Sequence, residues 1–166
     1  MTDFIENRTY AEIQIGESAS LTRTISEADI QLFAALSGDV NPAHLDHEYA
    51  GASMFGGVIA HGIFSGALVS TVLGVLLPGP GTIYMGQTLR FTRPVKPGDQ
   101  LTVTVTAREK FDDKKRVIFD CVCVNQDGKG VVKGEAEVIA PSEKIRRPKM
   151  PVPPVSLGGT PFSIQP

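Results

Sequence analysis

The second half of the chain has the hydrophobic and polar pattern of a β-sheet. Four segments are rich in Val, Thr, Ile and Phe, and short connections that contain Gly, Pro, Asp and Lys separate them. Because short connections between successive strands favour antiparallel neighbours, the pattern predicts an antiparallel meander. The predicted strands are residues 82–93, 100–110, 115–126 and 130–139.

A segment that is apolar on all sides precedes these strands. Residues 57–77 contain no Asp, Glu, Lys or Arg, and such a run is long enough to cross a bilayer. However, it includes His61 and several Ser, Thr and Gly residues, and no basic residue flanks it closely. We therefore predict no membrane span. The pattern instead favours a long buried helix over about residues 60–77, ended by the Pro-Gly repeat of residues 78–81.

Shorter elements are predicted in the N-terminal region. Residues 9–15 alternate polar and apolar and residues 19–25 continue in an extended pattern, which predicts a strand pair or a strand and a turn. Ser26 is a favourable N-cap for a helix that stops at Gly38, and a short helix is expected over residues 48–53. These elements predict one α+β domain, with an antiparallel sheet wrapped around the long buried helix.

Composition divides the chain near residue 140. The 166 residues carry a formal net charge of −2, which argues against a generally basic nucleic-acid-binding protein. Seven of the 12 prolines lie in residues 141–166, where basic residues outnumber acidic ones. We therefore predict a domain over residues 1–140 and a Pro-rich basic tail or linker over residues 141–166, extended and solvated.

The N-terminus and the cysteines indicate the compartment. The first residues have no basic region followed by an apolar stretch, so no signal peptide is expected and the cytoplasm is predicted. Cys121 and Cys123 lie two residues apart on a predicted strand, which favours two small buried side chains over a disulfide.

The candidate chemistry is concentrated in one loop. Asp39 and His44 lie five residues apart between Gly38 and the segment after Pro42, and both flanking residues restrict the backbone. A carboxylate and an imidazole that converge can hold a water and move its protons. A turn residue and a satisfied structural histidine are the alternative interpretations. His44 and His47 lack a convincing third ligand, so no metal site is predicted.

A second candidate element is His61-Gly62, at the start of the buried helix. The first amides of a helix have no internal acceptors and lie at the positive end of its dipole. Gly62 lets another group approach the backbone closely, which is typical of an oxyanion site for a carbonyl oxygen. Simple helix packing is the alternative explanation for this glycine.

Four motifs resemble the MaoC-like, (R)-specific enoyl-CoA hydratases. Residues 33–46 resemble the hydratase signature, and residues 59–62, 84–91 and 94–99 match further motifs in the same order. The similarity covers about residues 16–140. It implies a hot-dog fold, which agrees with the predicted sheet around a helix. It also implies a homodimer or a dimer-based oligomer, with acyl-thioester sites near the subunit interface.

The resemblance also implies an activity and a role for each site residue. The activity is reversible hydration of a trans-2-enoyl-CoA to the (R)-3-hydroxyacyl-CoA, with no cofactor beyond the CoA of the substrate. Asp39 and His44 would be the catalytic pair, and Gly62 would donate its amide to the thioester oxygen. Asn41 would organise the loop at the substrate, and Ser70 would line the acyl pocket. Which residue of the pair is the base stays open.

Two other functions remain possible on the same fold. An acyl-CoA thioesterase would direct water at the carbonyl carbon, and a non-catalytic module would bind acyl-CoA for a partner enzyme. The presence of both Asp39 and His44 argues against each of these two functions.

Residues 140–148 resemble the linker that follows the hydratase-like domain in proteins fused to a phosphate acetyl/butyryltransferase domain. The alternative interpretation is an ordinary solvated tail.

Overall fold

A five-stranded antiparallel sheet curls around one central helix in the structure, a computed structural model that describes residues 4–158 and 160–162. This is the α+β hot-dog arrangement expected from the sequence. The helices are α1 (Glu27–Ser37), α2 (Pro42–Leu45), α3 (His47–Ala52) and α4 (Gly62–Thr71), with a π-helical continuation of α4 (Val72–Leu76) and a 3-10 turn (Asp113–Lys115). The strands are β1 (Phe4–Glu6), β2 (Ser18–Thr24), β3 (Ile83–Phe91), β4 (Gln100–Phe111), β5 (Arg116–Val124), β6 (Gly130–Ile139), β7 (Arg146–Pro148), β8 (Val155–Leu157) and β9 (Thr160–Phe162).

The strand order of the main sheet corrects part of the predicted meander. The order is β2-β4-β5-β6-β3, so the meander holds for β4, β5 and β6. β3 lies beyond β6 at the far edge and does not neighbour β4. Its connection to β4, residues 92–99, buries Val95, whose main-chain oxygen accepts from Ala60 N–H at 2.8 Å. This anchor holds the connection against the start of the central helix, and the sheet closes around that helix.

The core lies between α4 and the inner face of the sheet. Alternate residues of β4 and β5 face the helix and are buried, because successive side chains of a strand point to opposite faces. Cys121 and Cys123 are both buried on this face and free, as expected. The central helix begins at Gly62, two residues later than predicted, since His61 keeps an extended backbone. Within the described part of the chain, no helix combines the length and apolar character needed to cross a bilayer.

The strand expected over residues 9–15 is absent, and a local turn takes its place. The Glu12 carboxylate accepts the Thr9 N–H at 2.8 Å and the Thr9 hydroxyl at 3.1 Å. Glu12 N–H in turn donates to Thr9 O at 2.9 Å. A side chain that satisfies nearby backbone groups offers the chain an alternative to a strand ladder, and here that alternative outweighs the alternating pattern.

The start of the predicted tail is docked on the N-terminal segment. β7 pairs with β1, and the buried Asn7 side chain donates to Glu143 O at 2.9 Å and accepts from Ile145 N–H at 2.9 Å. Lys144 lies 3.1 Å from a carboxylate oxygen of Glu6. Residues 141–148 are therefore attached to the N-terminal segment, although six of the eight keep exposed side chains. The division at residue 140 itself stays a prediction, and residues 1–3, 159 and 163–166 lie outside the described residues.

Candidate active site

Helix α1 and its caps place Asp39. As predicted, Ser26 is the N-cap, and it forms a capping box with Asp29. Gly38 ends the helix in the left-handed conformation, with φ of 77°, and its N–H donates to Ala34 O at 2.8 Å. The chain leaves the helix at once, so Asp39 is the first residue of the loop. Its carboxylate is exposed and accepts the Asn41 N–H at 3.2 Å.

The one-turn helix α2 orients His44. Asn41 is its N-cap and accepts the Ala43 N–H at 3.0 Å, and Pro42 occupies the first position, where its missing N–H costs nothing. The half-buried His44 ring has Nδ1 2.7 Å from the main-chain oxygen of Ile59. Since a carbonyl oxygen only accepts, Nδ1 carries the hydrogen, and the neutral ring keeps a lone pair on Nε2.

His61 joins these residues, although the sequence assigned it no role of its own. It is 2% exposed, and its ring stacks on His44 with the ring centroids 3.8 Å apart. Its Nε2 lies 2.9 Å from the main-chain oxygen of Asp39. The sequence shows His61 as a single imidazole inside an apolar run. Its contacts with Asp39 and His44 could not be predicted, because those residues lie far from it in the sequence.

The three side chains bring one polar atom each close together. An oxygen of Asp39 and one ring nitrogen each of His44 and His61 all lie within 4.8 Å of one another. Zn²⁺ also takes such ligands. However, imidazole lone pairs lie in the ring plane, and stacked rings direct them side by side rather than at one ion. The expectation of no metal stays a prediction.

Gly62 supplies an amide beside this cluster. As the first residue of α4 it has no intrahelical acceptor, and none of the described residues accepts its N–H. His44, His61 and Gly62 line one cavity of about 420 Å³, together with Ser65 and Phe91. A Cβ on residue 62 would lie 3.4 Å from the Phe91 ring, which is an ordinary van der Waals distance, so an alanine also fits at this position.

Ser70 lies in a neighbouring cavity. It is exposed on α4, about 12 Å along the helix axis from Gly62. This second cavity, about 390 Å³, is also lined by Phe33, Tyr84 and Gln87. Tyr84 donates its hydroxyl hydrogen to Gln87, and burial raises the pKa of this phenol to about 12. The structure thus brings Asp39, His44 and Gly62 together and leaves Ser70 apart, and the role of Ser70 stays a prediction.

Comparison with known proteins gives the relatives of this fold and site. A family model described as "MaoC like domain" matches residues 11–129. The (R)-specific enoyl-CoA hydratase of Rhodospirillum rubrum is 49% identical over 133 residues, which are 80% of this chain and 92% of the relative. The chain belongs to the MaoC-like domain family.

Solved structures of MaoC-like relatives agree with this fold. The R-hydratase PhaJ1 from Pseudomonas aeruginosa, in its unliganded form, is 52% identical and superposes with a TM-score of 0.89 over 93% of this chain and 99% of the other. The (R)-hydratase from Aeromonas caviae, involved in PHA biosynthesis, is 39% identical, with a TM-score of 0.75 over 78% and 98% of the two chains. The similarity covers nearly the whole length of both relatives.

Proposed function

We propose that this chain is an (R)-specific enoyl-CoA hydratase, which adds water reversibly to a trans-2-enoyl-CoA to give the (R)-3-hydroxyacyl-CoA. The observation that carries the proposal is the convergence of Asp39 and His44, beside a cavity where Gly62 presents an amide free to donate. Its MaoC-like relatives at 49% and 52% identity bear the names of R-hydratases, which supports the same activity.

Gly62 polarises the substrate in this mechanism. The thioester oxygen accepts the Gly62 N–H at the positive end of the α4 dipole. Because the thioester is conjugated with the double bond, polarising its carbonyl makes the β-carbon electrophilic. Negative charge develops on the thioester oxygen as water attacks, and the amide stabilises that charge more strongly than the ground-state carbonyl.

Asp39 and His44 handle the water. His44 Nε2 has the free lone pair and takes one proton as the water oxygen forms its bond to the β-carbon. The π-electron pair of the double bond moves towards the thioester, giving an enolate. The α-carbon then takes a proton from the pair, so one water supplies both the hydroxyl and the hydrogen. Adding water transfers no net electrons, so the reaction needs no redox cofactor, and CoA enters only as part of the substrate.

The exposed edge of β3 supports a homodimer. β3 is the last strand of the sheet, and three large apolar side chains on it, Ile83, Met85 and Phe91, are each about half exposed. An exposed strand edge with apolar side chains favours pairing with another chain. A second copy that adds its β3 to this edge would cover them. Analytical ultracentrifugation tests this proposal, because a dimer has twice the mass of one chain. The cytoplasmic location stays a prediction.

A spectroscopic assay separates hydration from the other candidate functions. The conjugated enoyl-thioester absorbance of crotonyl-CoA should fall when the protein is added. Release of free thiol from saturated acyl-CoA would indicate a thioesterase instead. Binding of acyl-CoA without turnover would indicate a non-catalytic module. Absence of hydration across several chain lengths would overturn the proposed function.

A further inference from the structure

His61 is a buried polar residue whose position at the start of α4 does not explain its presence. It is the N-cap residue of α4, yet its side chain makes no capping hydrogen bond. It is 2% exposed, and burying an imidazole is costly unless its polar atoms are used. A side chain retained there must therefore contribute through its other contacts.

The first of these contacts fixes the backbone of Asp39. His61 Nε2 lies 2.9 Å from the main-chain oxygen of Asp39, across 22 residues of sequence. Because that oxygen only accepts, Nε2 carries the hydrogen. Asp39 directly follows the last turn of α1, and its side chain is exposed. The hydrogen bond to His61 thus ties the start of the catalytic loop to the base of α4.

The second contact fixes the ring of His44. The His61 and His44 rings stack at 3.8 Å between centroids, with an interplanar angle of 29°. Phe33 contacts His61 as well, with its centroid 5.0 Å away. His44 is also held by Ile59, two residues before His61. The short segment from Ile59 to Gly62 therefore contacts both members of the catalytic pair and carries the oxyanion amide.

We propose that His61 is the positioning residue of the hydratase site. This inference rests on the proposed function, and it assigns His61 no proton transfer. Its Nε2–H holds the backbone of Asp39, and its ring holds the ring of His44, so that both are positioned relative to the Gly62 amide. Since a misplacement of about 1 Å can cost about 100-fold in rate, loss of these contacts should lower kcat far more than it raises KM.

Two substitutions separate the contributions of His61. His61→Gln keeps an amide N–H that can reach Asp39 O but removes the ring, whereas His61→Phe keeps a flat ring but removes the donor. Both remove the Nδ1 atom, which has no partner among the described residues. His47 supplies the matched controls His47→Gln and His47→Phe, because it is exposed and pairs with Glu27 at 2.6 Å, away from the cavity.

The test compares kcat, KM and Tm of these variants with crotonyl-CoA. We expect His61→Phe to lower kcat about 100-fold with KM within about threefold, His61→Gln to recover kcat to within about tenfold of wild type, and both His47 variants to match wild type. Unchanged kcat in a folded His61→Phe variant would show a purely structural residue. Equal loss in both His61 variants, down to the level of His44→Ala, would show direct catalysis through Nδ1. Either result overturns the proposal.

A measurement on the wild-type protein tests the proposal even if the His61 variants do not fold. Nitrogen-15 NMR of the imidazoles should find neutral His61 protonated on Nε2 and neutral His44 protonated on Nδ1. The opposite tautomer of His61 would remove its donor to Asp39 and overturn the proposal. This measurement does not depend on turnover, so an inactive wild-type protein with the expected tautomers would reject the proposed function and not the arrangement of the three side chains.

Discussion

Nδ1 of His44 donates its hydrogen to the main-chain oxygen of Ile59 across 2.7 Å. This single hydrogen bond selects the tautomer of the neutral ring, because the carbonyl can only accept. It leaves a lone pair on Nε2 of a ring that lines the cavity and lies beside Asp39. This tautomer supports the proposal that His44 takes the proton from water, a role that the sequence motif left undecided between His44 and Asp39.

Removing either member of the pair should abolish most of the activity. We expect His44→Ala and Asp39→Asn each to lower kcat for crotonyl-CoA by about 10²–10⁴-fold, the usual contribution of a positioned acid or base. Asp127→Asn is the control, because this carboxylate is exposed and lies in the turn before β6. Substantial activity in both site variants would overturn their assignment.

The N–H at position 62 can be removed by a substitution that keeps helix α4. Proline is well tolerated at the first position of a helix, and the extended backbone of His61 suits a residue before proline. We expect Gly62→Pro to lower kcat about 10²–10³-fold, as loss of one oxyanion donor does. Gly62→Ala keeps the N–H and serves as the matched variant. A similar kcat in the two variants would show that the amide is not used.

Docking of the tail start should stabilise the domain. Deleting residues 142–166 removes two of the three partners of the buried Asn7 side chain, and only the hydrogen bond from its Nδ2 to Pro80 O at 3.1 Å remains. The Asn7 Oδ1 is then unsatisfied, and an unsatisfied buried group of this kind costs about 1–3 kcal/mol. We expect this loss in the free energy of unfolding, measured with urea. The shorter deletion of residues 150–166 keeps β7 and should lose less. Equal losses of unfolding free energy in the two deletions would show that residues 150–166 provide the stabilisation instead.

The two cysteines should be unreactive in the folded protein. Burial raises the pKa of the Cys121 thiol to about 12 and that of Cys123 to about 11, from an ordinary value of 9.0. A pKa that is higher in the folded state contributes stability below pH 9, and this contribution is lost as the pH rises through 11 and 12. A thiol reagent at pH 8 should label both residues only after unfolding. Rapid labelling of the native protein would contradict their burial.

Local signals made much of the fold predictable. Ser26 and Gly38 mark the ends of α1 because capping depends on residues a few positions apart. The four main strands follow from β-branched composition and turn residues, and their bounds agree closely with the prediction. The candidate catalytic loop could be proposed for the same reason, since Asp39 and His44 lie in one short segment, and its role stays a prediction.

The features that the sequence did not predict depend on distant contacts. β3 lies at the far edge, beyond β6, because the sheet closes around α4. No local sequence pattern indicates this closure. Asn7 reaches Glu143 across 136 residues, and His61 reaches Asp39 across 22. In both cases the residue type is visible in the sequence, but the partner is a single main-chain oxygen that any residue could supply.

The configuration of the hydration product tests the central claim most directly. Crotonyl-CoA is incubated with the purified protein, the product is hydrolysed, and the 3-hydroxybutyrate is separated on a chiral column. We predict the (R) enantiomer alone, formed by wild type and lost in Asp39→Asn. Formation of the (S) enantiomer, or no hydration by a folded wild-type protein, would contradict the account.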